Sequence, residues 1–444
     1  MSFLIKEYLL FYFKILNLQQ KKMENHKIKI QVESEIGELE AVILHRPGKE
    51  IENMTPGNAK RALYSDILNL SVAAKEYSQF EGTLKKVTKV FYLTDLLTEI
   101  LKIQEVKTSL IDKITPNCKF PEIKSFLLEQ EPQTLTKLLI EGVPLPKNTL
   151  TNYLSEEFFA LAPLHNFFFM RDASSSILDT VLINRMANNV RRRESIIMEA
   201  IFENHPHFIA KTANPTLSRH FTNSLTMEGG DIQIASKDVL LIGMGSRTSS
   251  EGIDYIAKKI ESKERPRHII VQELPETPES FIHLDMVFTF LDTDKCMIYE
   301  PLILKSPKFQ TLHLYIEDGK IKKISQEKNI LEALKKVGMD LKPILCGGEH
   351  SHNQEREQWH SGANFFAFAP GKIIGYERNT HTINELSKNG FKVISSQDVI
   401  NEKIDLSKHK KVVVTIPGAE LARGGGGARC MTMPLRRKKL NQSA

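Results

Sequence analysis

The chain has 444 residues, 41% of them hydrophobic, which is enough to bury a large core and build one big domain or two ordinary ones. Its 60 Lys+Arg against 54 Asp+Glu leave a formal charge of +6, too small an excess to imply nucleic acid, and part of it is the terminal run "LRRKK", which reads as a solvated tail. Cys118, Cys296, Cys346 and Cys430 lie far apart with no CxxC pair, which argues against a disulfide framework or a zinc site and suits a reducing cytosol.

Residues 1–28 are apolar but broken by Lys6, Glu7 and Lys14, short of the roughly 20 uninterrupted apolar residues that a spanning helix needs. No small-residue cleavage site follows. This N-terminal extension reads either as an amphipathic surface helix or as a segment upstream of a true start at Met23. From Ile28 the chain reads as strand, "IKIQVESEIGELEAVILHRPG", ending in a Pro-Gly turn. Between 68 and 158 the character changes. "LSVAAKEYSQFEGTLKKV", "LTDLLTEILKIQEV", "PEIKSFLLEQE" and "PQTLTKLLIEGV" place apolar residues three to four apart among charges, which predicts a mainly helical bundle with a short strand near "KVFYL". Strand patterns resume after Phe158, so residues 68–158 are expected as an insertion within an α/β body spanning 29–444.

That body repeats itself weakly. "SSSILDTVLINR", "DIQIASKDVLLIGMGSR", "VFTFLDTDKCMIYEP" and "NFFAFAPGKIIGYERN" each read as strand, short turn, strand. Helical patterns follow in "RMANNVRRRESIIMEAIF", "RTSSEGIDYIAKKI" and "RNTHTINELSKNG", and strands return in "RHIIVQEL" and "FKVISS". Such recurrence predicts several copies of one supersecondary unit arranged around an axis.

Polar clusters sit at the edges of these units. "FFFMRDASSSI" holds Asp172 just before a strand, and "LTMEGGDIQI" holds Glu228 before two glycines that permit close backbone approach. In "FIHLDMVFTF", read as strand, His283 and Asp285 share one face. Taken singly, these are a turn residue, a hairpin and a satisfied polar pair. Likewise Gly424 to Gly427 alone is a flexible linker and Cys430 an idle thiol. One histidine among scattered carboxylates lacks the spacing of HExxH or paired-His metal sites. Together the residues suggest more. Asp172 and Asp285 suit a planar cation such as guanidinium, whose N–H groups point in forks. Cys430 supplies a nucleophile if Arg429, a protonated His283 or a bound cation lowers its pKa.

"MRD", "MEGGD", "HLDMVF", "EREQW" and "GGGGARCMTMP", in this order and at these separations, resemble arginine deiminase of the guanidine-modifying superfamily. The likeness runs from about Ser34 to Leu435. It implies a pseudo-fivefold α/β propeller of ββαβ modules (the pentein fold) with an inserted helical bundle. It further implies hydrolysis of free L-arginine to L-citrulline and ammonia in the cytoplasm, without metal or organic cofactor. Carried over by position, Cys430 attacks the guanidinium carbon and Asp172 and Asp285 grip its nitrogens, with Glu228 beside them. His283 protonates the departing ammonia and then activates the water that releases citrulline. Arg192 and Arg247 match positions that bind the α-carboxylate, and Asn166, Phe169 and Gly424 match positions lining the pocket. This chain has Gly425 where certain relatives carry an arginine, which puts more of the carboxylate binding on Arg192 and Arg247. The resemblance implies neither a nucleic-acid nor a membrane partner, and a homo-oligomer is compatible with it. Two alternatives stay open: a sister activity on agmatine, methylarginine or peptidyl-arginine, and a non-catalytic pentein that binds a macromolecular partner.

Overall fold

The computed structural model describes residues 27–56, 66–116, 118, 120, 122–218, 222–260, 267–318 and 320–440. Of the N-terminal extension, residues 1–26 lie outside the described residues.

Five sheets repeat one topology. Ser174–Ile177 pairs antiparallel with Thr180–Ile183, which pairs parallel with Lys211–Ala213. The same order recurs in Ile232–Ser236, Val239–Met244 and Arg267–Glu273, and again in Phe288–Asp292, Lys295–Ile298 and Lys342–Leu345. A fourth copy is Phe366–Ala369, Lys372–Tyr376 and Val412–Ile416, with Lys392–Ser395 added at its edge. The remaining copy, which comes first in chain order and so makes those just described the second to fifth units, is split between the two ends of the chain. Met433–Arg437 pairs antiparallel with Leu39–Leu44, which pairs parallel with Lys89–Tyr92. The chain is thus a pseudo-fivefold α/β propeller closed by its C-terminal strand.

A parallel pair cannot be joined by a hairpin, so each unit needs a crossover, and amphipathic helices provide it. In the first unit the crossover is Leu70–Val87. Its Ala73, Tyr77, Phe80 and Leu84, spaced four, three and four, form one buried stripe packed with Leu39, Val42 and Leu44. The Asn69 side chain accepts from the Val72 N–H and starts that helix. Because this helix links two strands of one sheet, it belongs to the first unit. The added helices therefore begin at Leu93, later than the 68 expected from periodicity. They are Leu93–Ile100, Gln104–Ile114, Ile123–Leu128, Pro132–Glu141 and Leu150–Leu154. Leu93, Leu97, Ile111, Leu135 and Leu139 from this group share a core with Ile197, Met198 and Ile201 of the second unit's helix Arg192–Asn204. The expected short strand is Lys89–Tyr92.

One departure from the repeat is a long hairpin, Thr311–Glu317 with Lys320–Glu327. It arises within the fourth unit but extends the third unit's sheet by pairing antiparallel with Arg267–Glu273. Near the axis, Met433–Arg437 lies against Ser174–Ile177 and Phe288–Asp292 against Phe366–Ala369. Among the described residues, no helix is long and apolar enough to cross a membrane.

Candidate active site

Each unit contributes one polar group two to four residues before its axial strand. Asp172 precedes Ser174–Ile177, Glu228 precedes Ile232–Ser236, and Asp285 precedes Phe288–Asp292. Asn364 precedes Phe366–Ala369, and Cys430 precedes Met433–Arg437. Residues remote in sequence meet because five equivalent segments converge at one end of the axis. All five side chains are buried, as is His283.

The local backbone explains the motifs. The "EGGD" stretch is a turn of 3-10 helix over Gly229–Asp231, packed against the segment bearing Asp172. Gly229 N–H donates to the Asp172 carbonyl at 3.2 Å and Gly230 N–H to Asp172 Oδ1 at 3.2 Å. A Cβ at Gly229 would lie 2.0 Å from the Arg171 carbonyl oxygen, and one at Gly230 would lie 2.5 Å from the His283 ring. Both glycines are there for close approach. His283 and Asp285 differ from the strand expectation. His283 is extended (φ −136°, ψ 154°), but Leu284–Met286 is a 3-10 turn and the strand starts only at Phe288. The turn, not strand alternation, brings both side chains to the site.

The polar contacts fall into two groups. His283 Nε2 is 2.9 Å from Glu228 Oε2, and its Nδ1 is 3.8 Å from Asp172 Oδ1. Cys430 Sγ lies 3.7 Å from Asp285 Oδ2 and receives the Asn364 Nδ2–H at 3.2 Å. Asn364 Oδ1 in turn accepts from the Arg429 N–H at 2.8 Å. Asn364 was not singled out from the sequence, although "GAN" stands two residues before a strand just as Asp172 does.

Burial and charge set the protonation states. Burial pulls the His283 pKa down, but Asp172, Glu228 and Asp231 outweigh it and lift it to about 9. Glu228 is pushed up by burial yet held at about 2 by the His283 hydrogen bond and by the charges of Arg247, His283 and Arg191. Burial raises the Asp285 carboxyl above its ordinary value, against the lowering effect of Arg429. The Cys430 thiol is raised by burial and then further by Asp285 and Asp172. Cys430 is therefore held as a thiol facing two acidic groups, a site that calls for a cation.

These groups open into a cavity of about 330 Å³. Asn166, Phe169, Asp172, Arg247, His283, Gly424 and Cys430 line it, while Glu228 and Asp285 lie behind the lining. Arg192 does not line it. Its neighbour Arg191 does, donating from Nη1 to Asp172 Oδ2 at 2.7 Å and forking onto Glu194. The reason is local. Arg191 ends the 3-10 turn Asn189–Arg191 facing inward, whereas Arg192 opens the next helix one step, about 100°, further round and is exposed. Gly424 and Gly426 pack on Phe169, and a Cβ at Gly426 would sit 2.4 Å from that ring.

Asp172, Glu228 and His283 also bring their ligand atoms within 4.8 Å of one another, close enough to surround a metal ion. In the metal-free site His283 is instead held between Glu228 and Asp172 as a protonated imidazole.

The sequence model of the arginine deiminase family matches residues 60–437. An arginine deiminase of Bacillus thuringiensis subsp. konkukian is 34% identical over 436 residues, covering 93% of this chain and 100% of the relative. An arginine deiminase of Oenococcus oeni is 34% identical over 437 residues, covering 95% and 100%. Among solved structures, unliganded AgrE aligns with a TM-score of 0.50 at 14% identity over 90% of this chain, which spans only 40% of that protein. SxtG, an amidinotransferase from Microseira wollei in the saxitoxin biosynthetic pathway, aligns with a TM-score of 0.50 at 14% identity over 94% of this chain and 99% of its own. These two likenesses bear on the fold alone.

Proposed function

The chain belongs to the arginine deiminase family, and on that premise we propose that it hydrolyses free L-arginine to L-citrulline and ammonia through a covalent amidino-cysteine intermediate. It is an enzyme of the class that hydrolyses C–N bonds in linear amidines.

The observation that carries the mechanism is the placement of Cys430 Sγ 3.7 Å from Asp285, at a cavity that Cys430, Asp172 and His283 line together. A guanidinium between the two aspartates cancels the negative field that keeps the thiol protonated, so substrate binding itself favours the thiolate, and the thiol proton leaves to solvent. The Asn364 N–H, 3.2 Å from sulfur, stabilises that thiolate. Sulfur then attacks the guanidinium carbon, and His283, protonated through Glu228 and Asp172, gives a proton to the departing ammonia. The neutral imidazole left behind takes a proton from water, which attacks the amidino carbon; the C–S bond then breaks, the new hydroxyl's proton passes to the departing sulfur to restore the thiol, and citrulline leaves. One histidine serves both half-reactions.

Arg247, which also lines the cavity, is the group to take the substrate's α-carboxylate. Its own nearest carboxylate, Glu228 Oε1, is 3.8 Å away, a loose contact that leaves the guanidinium able to take another anion. Arg191 is engaged by Asp172 and Glu194, so Arg247 leads in this role, while Asn166, Phe169 and Gly424 shape the pocket. A cationic head-group site disfavours agmatine, which has no carboxylate, and a competition assay across guanidines tests the selectivity. The presence of all five reactive side chains weighs against a purely binding role.

We place the reaction in the cytoplasm, where four unpaired cysteines are at home. The catalytic body runs from residue 29, with the helices from Leu93 to Leu154 as its insertion. Neither a nucleic acid, a membrane nor a cofactor enters this reading, and a homo-oligomer is compatible with it. The test is to incubate the protein with L-arginine and measure citrulline and ammonia. Equal amounts are expected, and none from Cys430→Ala. Citrulline formation by Cys430→Ala would overturn the covalent mechanism.

A further inference from the structure

Three guanidinium groups lie buried beneath the nucleophile: Arg171, Arg429 and Arg437. Arg429 sits at the centre and every face of it is occupied. Its Nη1–H donates to Asp285 Oδ2 at 2.8 Å. Its Nη2–H donates to the Ile232 carbonyl at 2.7 Å. The remaining edge is forked by Glu35, with Nε to Oε2 and Nη2 to Oε1 both at 3.1 Å. Glu35 is itself fixed, because Oε1 also accepts the Ile234 N–H at 3.2 Å and its own N–H donates to the Ile234 carbonyl at 2.8 Å. No step of the reaction proposed above uses Glu35. Yet it is the end of an unbroken chain, Glu35 to Arg429 to Asp285, that finishes 3.7 Å from the reacting sulfur.

We propose that Glu35 is a positioning residue for this reaction, holding Arg429 so that Asp285 keeps its direction and charge for the guanidinium. The inference rests on the reading of the site as a guanidine hydrolase. A fork of two hydrogen bonds between planar groups fixes direction as well as distance, which a single contact does not. The charges matter too. Arg171 donates to the neutral Thr432 hydroxyl at 2.8 Å and Arg437 to the Gly37 carbonyl at 2.7 Å, so neither has a carboxylate in hydrogen-bond contact. Glu35 and Asp285 are the acids touching Arg429. On the substrate side, Asp285 also feels His283 and Asp172. Glu35 thus sets how much of the Arg429 charge reaches Asp285 and Cys430.

The experiment compares wild type with Glu35→Gln, Glu35→Asp and Arg429→Lys, with folding checked by near-UV circular dichroism. Two readouts are taken: kcat and KM for citrulline formation, and the pH midpoint for iodoacetamide labelling of Cys430, followed on its own peptide by mass. In Glu35→Gln the amide N–H groups oppose those of Arg429 and the fork opens. The KM for L-arginine should rise about tenfold with a smaller fall in kcat. The labelling midpoint should move down by about one unit, because the Arg429 charge is no longer shared. Glu35→Asp keeps the charge but not the reach, so its midpoint should return towards wild type while KM stays high. Combining Glu35→Gln with Arg429→Lys should cost little more than the worse single change, since both break one chain. A folded Glu35→Gln with wild-type KM and wild-type midpoint overturns the proposal. If Glu35→Gln does not fold, an unchanged KM in Glu35→Asp overturns it instead. Wild type that forms no citrulline would refute the hydrolase reading. The labelling midpoint tests the Glu35 link independently of that.

Discussion

Gly230→Ala tests the site's geometry most sharply, because the substitution adds one methyl group and removes no chemistry. The new Cβ would lie 2.5 Å from Cγ and Nδ1 of His283, against an ordinary contact beginning at 3.4 Å. The ring must therefore retreat by about 0.9 Å or the Gly229–Asp231 turn must move. Retreat carries Nε2 away from Glu228, at present 2.9 Å distant, and removes the hydrogen bond that keeps the imidazole protonated. Movement of the turn instead breaks the Gly230 N–H bond to Asp172. A displacement of about 1 Å at a reacting group typically costs on the order of 10²-fold. Loss of general acid–base help costs about 10²- to 10⁴-fold. Overpacking should cost about 1–3 kcal/mol in stability. The assay is kcat for citrulline formation beside urea unfolding, with Gly338→Ala as control. Gly338 has φ +88° and nothing within 4 Å of an added Cβ, so its change strains the backbone far from the chemistry. Wild-type kcat in Gly230→Ala, with unaltered unfolding, would mean that His283 does not stand where this site requires it.

Other substitutions probe separate contacts. Asn364→Ala removes the donor at the sulfur and should lower kcat by about 10²-fold, as loss of one preorganised donor does; a wild-type rate would dismiss its role. Arg192→Ala, at an exposed position, should change stability by less than about 0.5 kcal/mol and leave KM alone. Arg191→Ala instead strands Asp172 and Glu194 in the interior and should cost about 3–5 kcal/mol; urea unfolding of the pair separates them. The elevated His283 pKa makes stability pH-dependent. A group raised from 6.5 to about 9 in the folded state stabilises fully below 6.5, and that contribution is lost as pH rises through 9. For a buried group the shift corresponds to roughly 3 kcal/mol. Unfolding of wild type and His283→Gln at pH 6 and pH 10 should show the difference shrinking at the higher pH.

Much of the site was legible in the sequence because the chemistry demands rare residue types in short fixed contexts: an acid before a strand, two glycines beside an acid, a thiol after a glycine run. The alternating ββ patterns likewise announced the repeated unit. What stayed hidden depends on contacts between distant segments. Nothing local distinguishes Arg191 from Arg192 within "RRR"; only the register of the turn against Asp172 and Glu194 does. Asn364 is an ordinary residue until its unit is superposed on the one bearing Asp172. The helix Leu70–Val87 has the same periodicity as the helices after it, and only its position between two paired strands assigns it to the propeller. The hairpin Thr311–Glu327 joins a neighbouring unit's sheet, a pairing across sequence that periodicity does not encode.

The split first sheet has a consequence for how activity begins. Cys430 stands three residues before Met433–Arg437, the strand that zips onto Leu39–Leu44. During synthesis, the early segments wait for a partner that emerges almost four hundred residues later. On the proposed mechanism, a chain cut before Cys430 keeps the aspartates and the histidine but lacks the thiol of the site. Closure of the ring and delivery of that thiol depend on the same C-terminal segment, so a chain clipped before it is expected to form no citrulline.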